Sequence, residues 1–115
     1  MLAVKGQVYV ANFCVDMRKS IDGLSLLVLD YFDKNPADGY YFVFINKARD
    51  KIKILYFDKN GFCLWYKRLE KGKFKPPKFD GKIYSLDDAQ LRWLLDGLDI
   101  KKLRKTTRFS YSEFS

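Results

Sequence analysis

The chain has no histidine among its 115 residues. Every mechanism that moves a proton through an imidazole is therefore closed to it, and so are the zinc sites that need one. Cysteine is almost as scarce, with Cys14 and Cys63 alone. Two cysteines make no disulfide framework. Each lies in an apolar run, so both are expected to be buried free thiols in a reducing cytoplasm. Neither has a close cysteine partner with which to hold a metal. No apolar run approaches the ~20 residues of a membrane-spanning helix. The start, MLAVKGQVYVANFCVDMRK, lacks the charged opening and small-residue cleavage site of a signal peptide. A cytoplasmic protein without a membrane partner is the expectation. Neither a P-loop nor a G-x-G-x-x-G is present. Acidic residues are also in deficit, 14 against 22 Lys and Arg, which leaves a net charge of +8.

That surplus favours a polyanionic partner, nucleic acid before others, although a basic surface can also be merely solvated. The length is that of one ordinary domain. With 48% hydrophobic and 17% aromatic residues, the core should be rich in Phe and Tyr. No internal repeat or second domain is visible. We read residues 1–100 as one domain and 101–115 as a basic tail, which carries Lys101, Lys102, Arg104, Lys105 and Arg108 against Glu113.

The segment from Tyr40 to Phe74, YYFVFINKARDKIKILYFDKNGFCLWYKRLEKGKF, is the most informative. Three runs of β-branched and aromatic residues, near 40–46, 51–58 and 62–69, are separated by polar turns, as in an antiparallel meander. Asn60-Gly61 is a strong hairpin signal. Before it, Gln7 to Phe13 reads as a strand. Asp16 or Ser20 offers a helix N-cap. Ile21, Leu24, Leu27, Val28, Tyr31 and Phe32 recur at helical spacing, and Asn35-Pro36 stops that helix. Residues 70–82 hold Pro76 and Pro77 and read as an ordered loop or edge segment. Ile83-Tyr84 suits a short strand. Ser85 with Asp88 resembles a capping box, opening a second helix with Leu91, Leu94, Leu95 and Leu98 inward and Gly97 at its left-handed end. The predicted fold is α+β: an antiparallel β-meander with two helices, near 18–34 and 86–97, packed on one face.

Alternation along the meander fixes its faces for a hairpin loop of either two or four residues. Lys51, Lys53, Leu55 and Phe57 share one with Phe62, Leu64, Tyr66 and Arg68. Ile52, Ile54 and Tyr56 share the other with Cys63, Trp65, Lys67 and Leu69, and this more apolar face is where the helices are expected. Lys53 and Arg68 are then close enough to repel unless water or an anion separates them. A second basic element runs from Lys67 to Lys82, where seven lysines and arginines face only Glu70 and Asp80. Phe74 and Phe79 within it are read as loop anchors, with base stacking as the other possibility. No nucleophile, acid–base pair or metal cluster stands out. Asp58 with Asp80-Gly81-Lys82 is loosely similar to a nuclease pattern, but Asp80 falls in a Pro/Gly loop. No catalytic residue and no cofactor are assigned.

DMRKSIDGL (Asp16 to Leu24), FVFINKARDKIKILYFDKNGFCLWYKRLEKGKF (Phe42 to Phe74) and QLRWLLDGLD (Gln90 to Asp99), in this order, closely resemble the small TnpB accessory protein. That protein is the second open reading frame of the insertion-sequence-sixty-six family of bacterial transposable elements, distinct from the RNA-guided nuclease of the same name. The resemblance spans about residues 1–104. Asp16, Arg18, Asp22, Lys53, Asp58, Lys67, Arg68, Glu70 and Gln90 are its matching polar positions. Ser20 stands where the family commonly has Gly, and Pro76 where it commonly has Trp. The resemblance implies a role in transposition beside a separate transposase, and no catalytic residues.

Together these readings point to a non-catalytic accessory protein that binds DNA at the element's ends, with the transposase as second partner. Arg18, Lys53, Lys67, Arg68 and Lys73 are the expected nucleic-acid contacts, although Arg18 could equally pair with Asp16 or Asp22. The alternative is an interaction module that binds the transposase through aromatics such as Tyr66 and Trp93 without touching DNA. An RNA-binding regulator is a third reading.

Overall fold

The computed structural model describes residues 2–99; the basic tail expected over 101–115 lies outside them. In chain order the elements are β1 (Val8–Cys14), α1 (Ile21–Leu27) continued by a π-helical turn (Val28–Phe32), β2 (Tyr41–Ile45), β3 (Lys51–Asp58), β4 (Gly61–Arg68), β5 (Ile83–Leu86) and α2 (Asp88–Leu95). The class is α+β as expected, and β2, β3 and β4 form the antiparallel meander. The sheet is larger and mixed, however. Its order is β4-β3-β2-β1-β5, with β1 parallel to β2 and antiparallel to β5. A parallel neighbour requires a crossover, and α1 provides it.

The crossover overturns the expectation that both helices share a face. Leu24, Val28 and Phe32 pack with Phe42, Phe44 and Leu55 on one side of the sheet. Leu91, Leu94 and Leu95 pack with Val10, Val43, Ile52 and Ile54 on the other. Each face is apolar enough to demand cover. The clearest sign is β2, YFVFI, buried at all five positions, the pattern of a central strand covered on both sides. The hairpin register pairs Phe57 with Phe62 and Asp58 with Gly61, so the face assignment read from the sequence stands. The turn itself is Lys59-Asn60, and Lys59 rather than Gly61 takes the left-handed conformation, at φ 56°.

Both ends of α2 are closed. The Asp87 carboxylate accepts from the Gln90 N–H, and the Gln90 side chain accepts from the Asp87 N–H. This capping box begins two residues later than Ser85, because Tyr84 and Leu86 must alternate into the core as part of β5. Loss of such a cap costs about 1 kcal/mol. At the other end Gly97, at φ 77°, lets the Leu98 N–H reach the Trp93 carbonyl, completing a Schellman motif. Leu98 itself is exposed rather than inward. Ser20 is the N-cap residue of α1 but makes no side-chain cap bond, and Asp16, the other candidate, accepts from Arg18 instead. Cys63 is half-buried and Cys14 exposed, so the expected burial of both thiols fails. Cys14 ends β1 beyond the register irregularity that follows Val10, so it does not continue the buried row of Val8 and Val10. A side chain at Gly6 would place its Cβ 2.5 Å from the Gly39 carbonyl oxygen, so the chain entering β1 runs flush against the chain entering β2.

Candidate nucleic-acid interface

The topology separates the connections into two sets. At one end of the sheet lie residues 15–19, 46–50 and 69–82; at the other lie 2–7, 33–40, 59–60 and 87. The first set carries nine Lys or Arg against four Asp or Glu, and the second three Lys against three Asp. Because β4 and β5 are opposite edges, the loop 69–82 crosses the full width of the sheet. It is held where the Leu69 N–H donates to the Asp50 carbonyl and the Phe74 N–H to the Arg49 carbonyl. The Phe74 ring is fully buried in the α2-side core. Near the loop's end the Asn12 amide donates to the Phe79 and Gly81 carbonyls. Phe74 is thus an anchor, as expected. Phe79 remains 42% exposed while lying against Tyr84.

The five residues expected to touch nucleic acid fall into three situations. Arg18 and Arg68 sit at the basic end, each beside a carboxylate. Arg18 binds Asp16 at 2.6 Å with a side chain 91% exposed, and Arg68 binds Glu70 at 2.8 Å. The Arg18 guanidinium and backbone N–H both donate to Asp16 and hold its carboxyl down to about 2. Lys53 and Lys67 have committed ammonium groups. Lys53 Nζ donates to the Met17 and Lys19 carbonyls at 2.8 and 2.9 Å, bracing the loop ahead of α1. Lys67, on the α2 face, donates to the Leu95 carbonyl at 2.8 Å and so satisfies the end of that helix. Lys73 is exposed on the crossing loop. The expected closeness of Lys53 and Arg68 is a diagonal one, since Arg68 lies opposite Lys51 and Lys53 opposite Tyr66.

Lys47 and Arg49, which read in the sequence only as a polar turn, complete the basic end. Both are exposed and, like Lys71 and Lys73, form no ion pair among the described residues. The turn is rigid. Asn46 accepts from the Asp50 and Lys51 N–H groups and donates to the Asp50 carboxylate, a bond that lowers the Asp50 pKa. Arg49 adopts φ 61°. The repeated polar alternation in NKARDK was the available signal. Between the turn and the loop 15–19 lies an open recess of about 710 Å³, lined among others by Asp16, Met17, Arg18, Lys47, Lys51 and Tyr66. Asp58 and Asp80 lie at opposite ends of the sheet, one on the hairpin and the other before β5, so they form no shared site.

A family model described as IS66 Orf2-like protein matches residues 6–105. The chain belongs to that family. Two relatives from Sinorhizobium fredii (strain NBRC 101917 / NGR234) are similar to it along most of their length. One, called uncharacterized protein y4hO, is 35% identical over 102 residues, covering 89% of each chain. The other, uncharacterized protein y4jC, is 34% identical over 100 residues, covering 86% of this chain and 85% of its own. No solved structure matches. Family membership associates the chain with transposition of an insertion sequence. The match includes both halves of the basic end and the segments that position it. No helix among the described residues is long and apolar enough to cross a membrane.

Proposed function

We propose that this IS66 Orf2-like protein is a non-catalytic accessory factor of transposition, working in the bacterial cytoplasm, that binds DNA at the element's ends through the basic end of its sheet. The observation that carries this reading is the segregation of charge: nine basic residues against four acidic in one set of connections, and balance in the other. Phosphates are the natural counter-charge for such a surface. Arg18, Arg68 and Lys73 serve as contacts, joined by Lys47 and Arg49. Lys53 acts indirectly, by holding the loop from which Arg18 projects, and Lys67 is committed to the end of α2. Asp58 and Asp80, too far apart to share a metal, support the absence of nuclease chemistry.

The test is the salt dependence of binding to terminal DNA. Each phosphate contact contributes about 0.9 to the slope of log affinity against log salt for duplex DNA. Replacing Lys47, Arg49 and Lys73 together by Ala should lower the slope by up to about 0.9 for each phosphate that is no longer neutralised. Replacing Lys5 and Lys59, at the other end, should leave it unchanged. Matched and random duplexes should lose affinity alike, because phosphate contacts carry no sequence information. A folded triple variant with the wild-type slope would remove this end from consideration.

A second contact, with the transposase, is favoured by Leu26 and Leu29, which are 60% and 56% exposed on the outer side of α1 and its π-helical extension. Leu26→Arg should abolish co-purification with the transposase while DNA affinity is retained. Trp93, in contrast, is partly buried against the core and is a poor anchor for a partner.

A further inference from the structure

We infer that the recess between residues 15–18 and 46–51 receives an unpaired nucleotide of DNA, with Tyr66 as its stacking platform. The inference rests on the DNA-binding reading above and specifies which form of DNA the surface prefers. Tyr66 projects from the edge strand β4, 48% exposed, at the mouth of the recess. Lys53, its cross-strand neighbour, approaches it with Nζ 5.8 Å from the ring centroid. That ammonium is tied to the Met17 and Lys19 carbonyls, so the ring and the loop beside it are held as one unit. The lining is apolar at the buried Val15 and half-buried Met17, while the exposed Arg18, Lys47 and Ala48 form the rim and Lys51 pairs with Asp50.

Duplex DNA offers phosphates to such a rim but has no exposed base face to offer the tyrosine. An unpaired nucleotide offers both, and aromatic stacking on single strands tolerates any base because every base has a π-face. The polar side chains within the recess reinforce that tolerance. The Asn46 amide is engaged by Asp50 and Lys51, and the Asp16 carboxylate by Arg18. Beyond these bonds Asn46 keeps one amide N–H, and a lone donor can be met by an acceptor on any base. The recess therefore selects strand form rather than sequence.

The experiment compares the full-length protein on a blunt duplex and on the same duplex carrying a short unpaired DNA overhang, by fluorescence anisotropy, with 2-aminopurine in the overhang. The overhang should raise affinity, and 2-aminopurine fluorescence should be quenched on binding. Tyr66→Ala should lower overhang affinity about tenfold and abolish the quenching, while blunt-duplex affinity changes less than about twofold, because phosphate contacts do not involve the ring. Tyr66→Phe, which keeps the ring, should behave as wild type. Equal affinity for the two DNAs, with no effect of Tyr66→Ala, would overturn the inference and leave duplex binding standing. Tighter binding of an RNA overhang would overturn the assignment to DNA. No affinity for any of the DNAs would remove the underlying reading with it.

Discussion

The two ends of the sheet are built on different terms. At the end holding the β3–β4 hairpin the backbone is closely fitted: Gly6 abuts Gly39, the hairpin turn is two residues, and α2 starts directly after β5 with its cap satisfied. At the other end the connections are basic and include the longest, 69–82, and their order comes from side chains reaching across. Phe74 enters the core, Lys53 holds the loop ahead of α1, and Asn46 closes the β2–β3 turn. An array of like charges is held in place by buried and hydrogen-bonded residues that do not themselves belong to it. Affinity and stability should therefore be separable at this end, and three measurements test whether they are.

The largest effect is expected from Phe74→Ala, which removes a fully buried ring and should cost about 3–5 kcal/mol in urea unfolding. Hydrogen exchange in the folded fraction should rise first in 69–82. Equal loosening of the hairpin end would break the distinction between the two ends. Lys53→Met keeps the aliphatic stem but leaves the Met17 and Lys19 carbonyls without their donor. A loss of about 1–3 kcal/mol is expected, with faster amide exchange in 16–19. A neutral result would show that water replaces the ammonium without consequence.

The smallest effect concerns Asp16, followed by carboxyl NMR. Its midpoint should lie at about 2 and move up toward the ordinary value of about 3.9 in Arg18→Ala. The folded pKa is below the unfolded one, so the unfolded chain takes up the proton more readily. The contribution of Asp16 to stability is therefore complete above pH ~4 and is lost as pH falls toward 2. The Asp16–Arg18 pair should stay intact across the neutral range, and DNA affinity should show no dependence on its titration there.

Much of this architecture was legible in the chain. Runs of β-branched and aromatic residues marked β2, β3 and β4, and parity sorted the side chains of β3 and β4 onto the correct faces for a turn of two or four residues. Gly97 announced the end of α2. Two things were hidden. The placement of α1 depends on β1 pairing parallel to β2, a contact between distant segments, though the unbroken apolar run YFVFI already carried the mark of a strand covered on both sides. The fates of Lys53 and Lys67 depend on carbonyls presented by the loop 16–19 and by Leu95. A lysine on a strand looks the same in sequence whether its ammonium meets a phosphate or a carbonyl. The basic character of the region was readable; which amines were free was not.

The contact between Gly6 and Gly39 also fixes where this chain excludes a side chain for want of space. Any side chain at position 6 must push the start of β1 away from the start of β2, and with it the parallel pair at the centre of the sheet. Gly72 and Gly81, in the crossing loop, face open space, but at φ 78° and 86° each holds a left-handed conformation that a side chain would strain. Change in that loop is confined to positions that leave Phe74 in the core and keep the backbone bonds to Arg49 and Asp50. One pole of the sheet is thus limited by the close approach of two chain segments, and the other by the anchors of a single long loop.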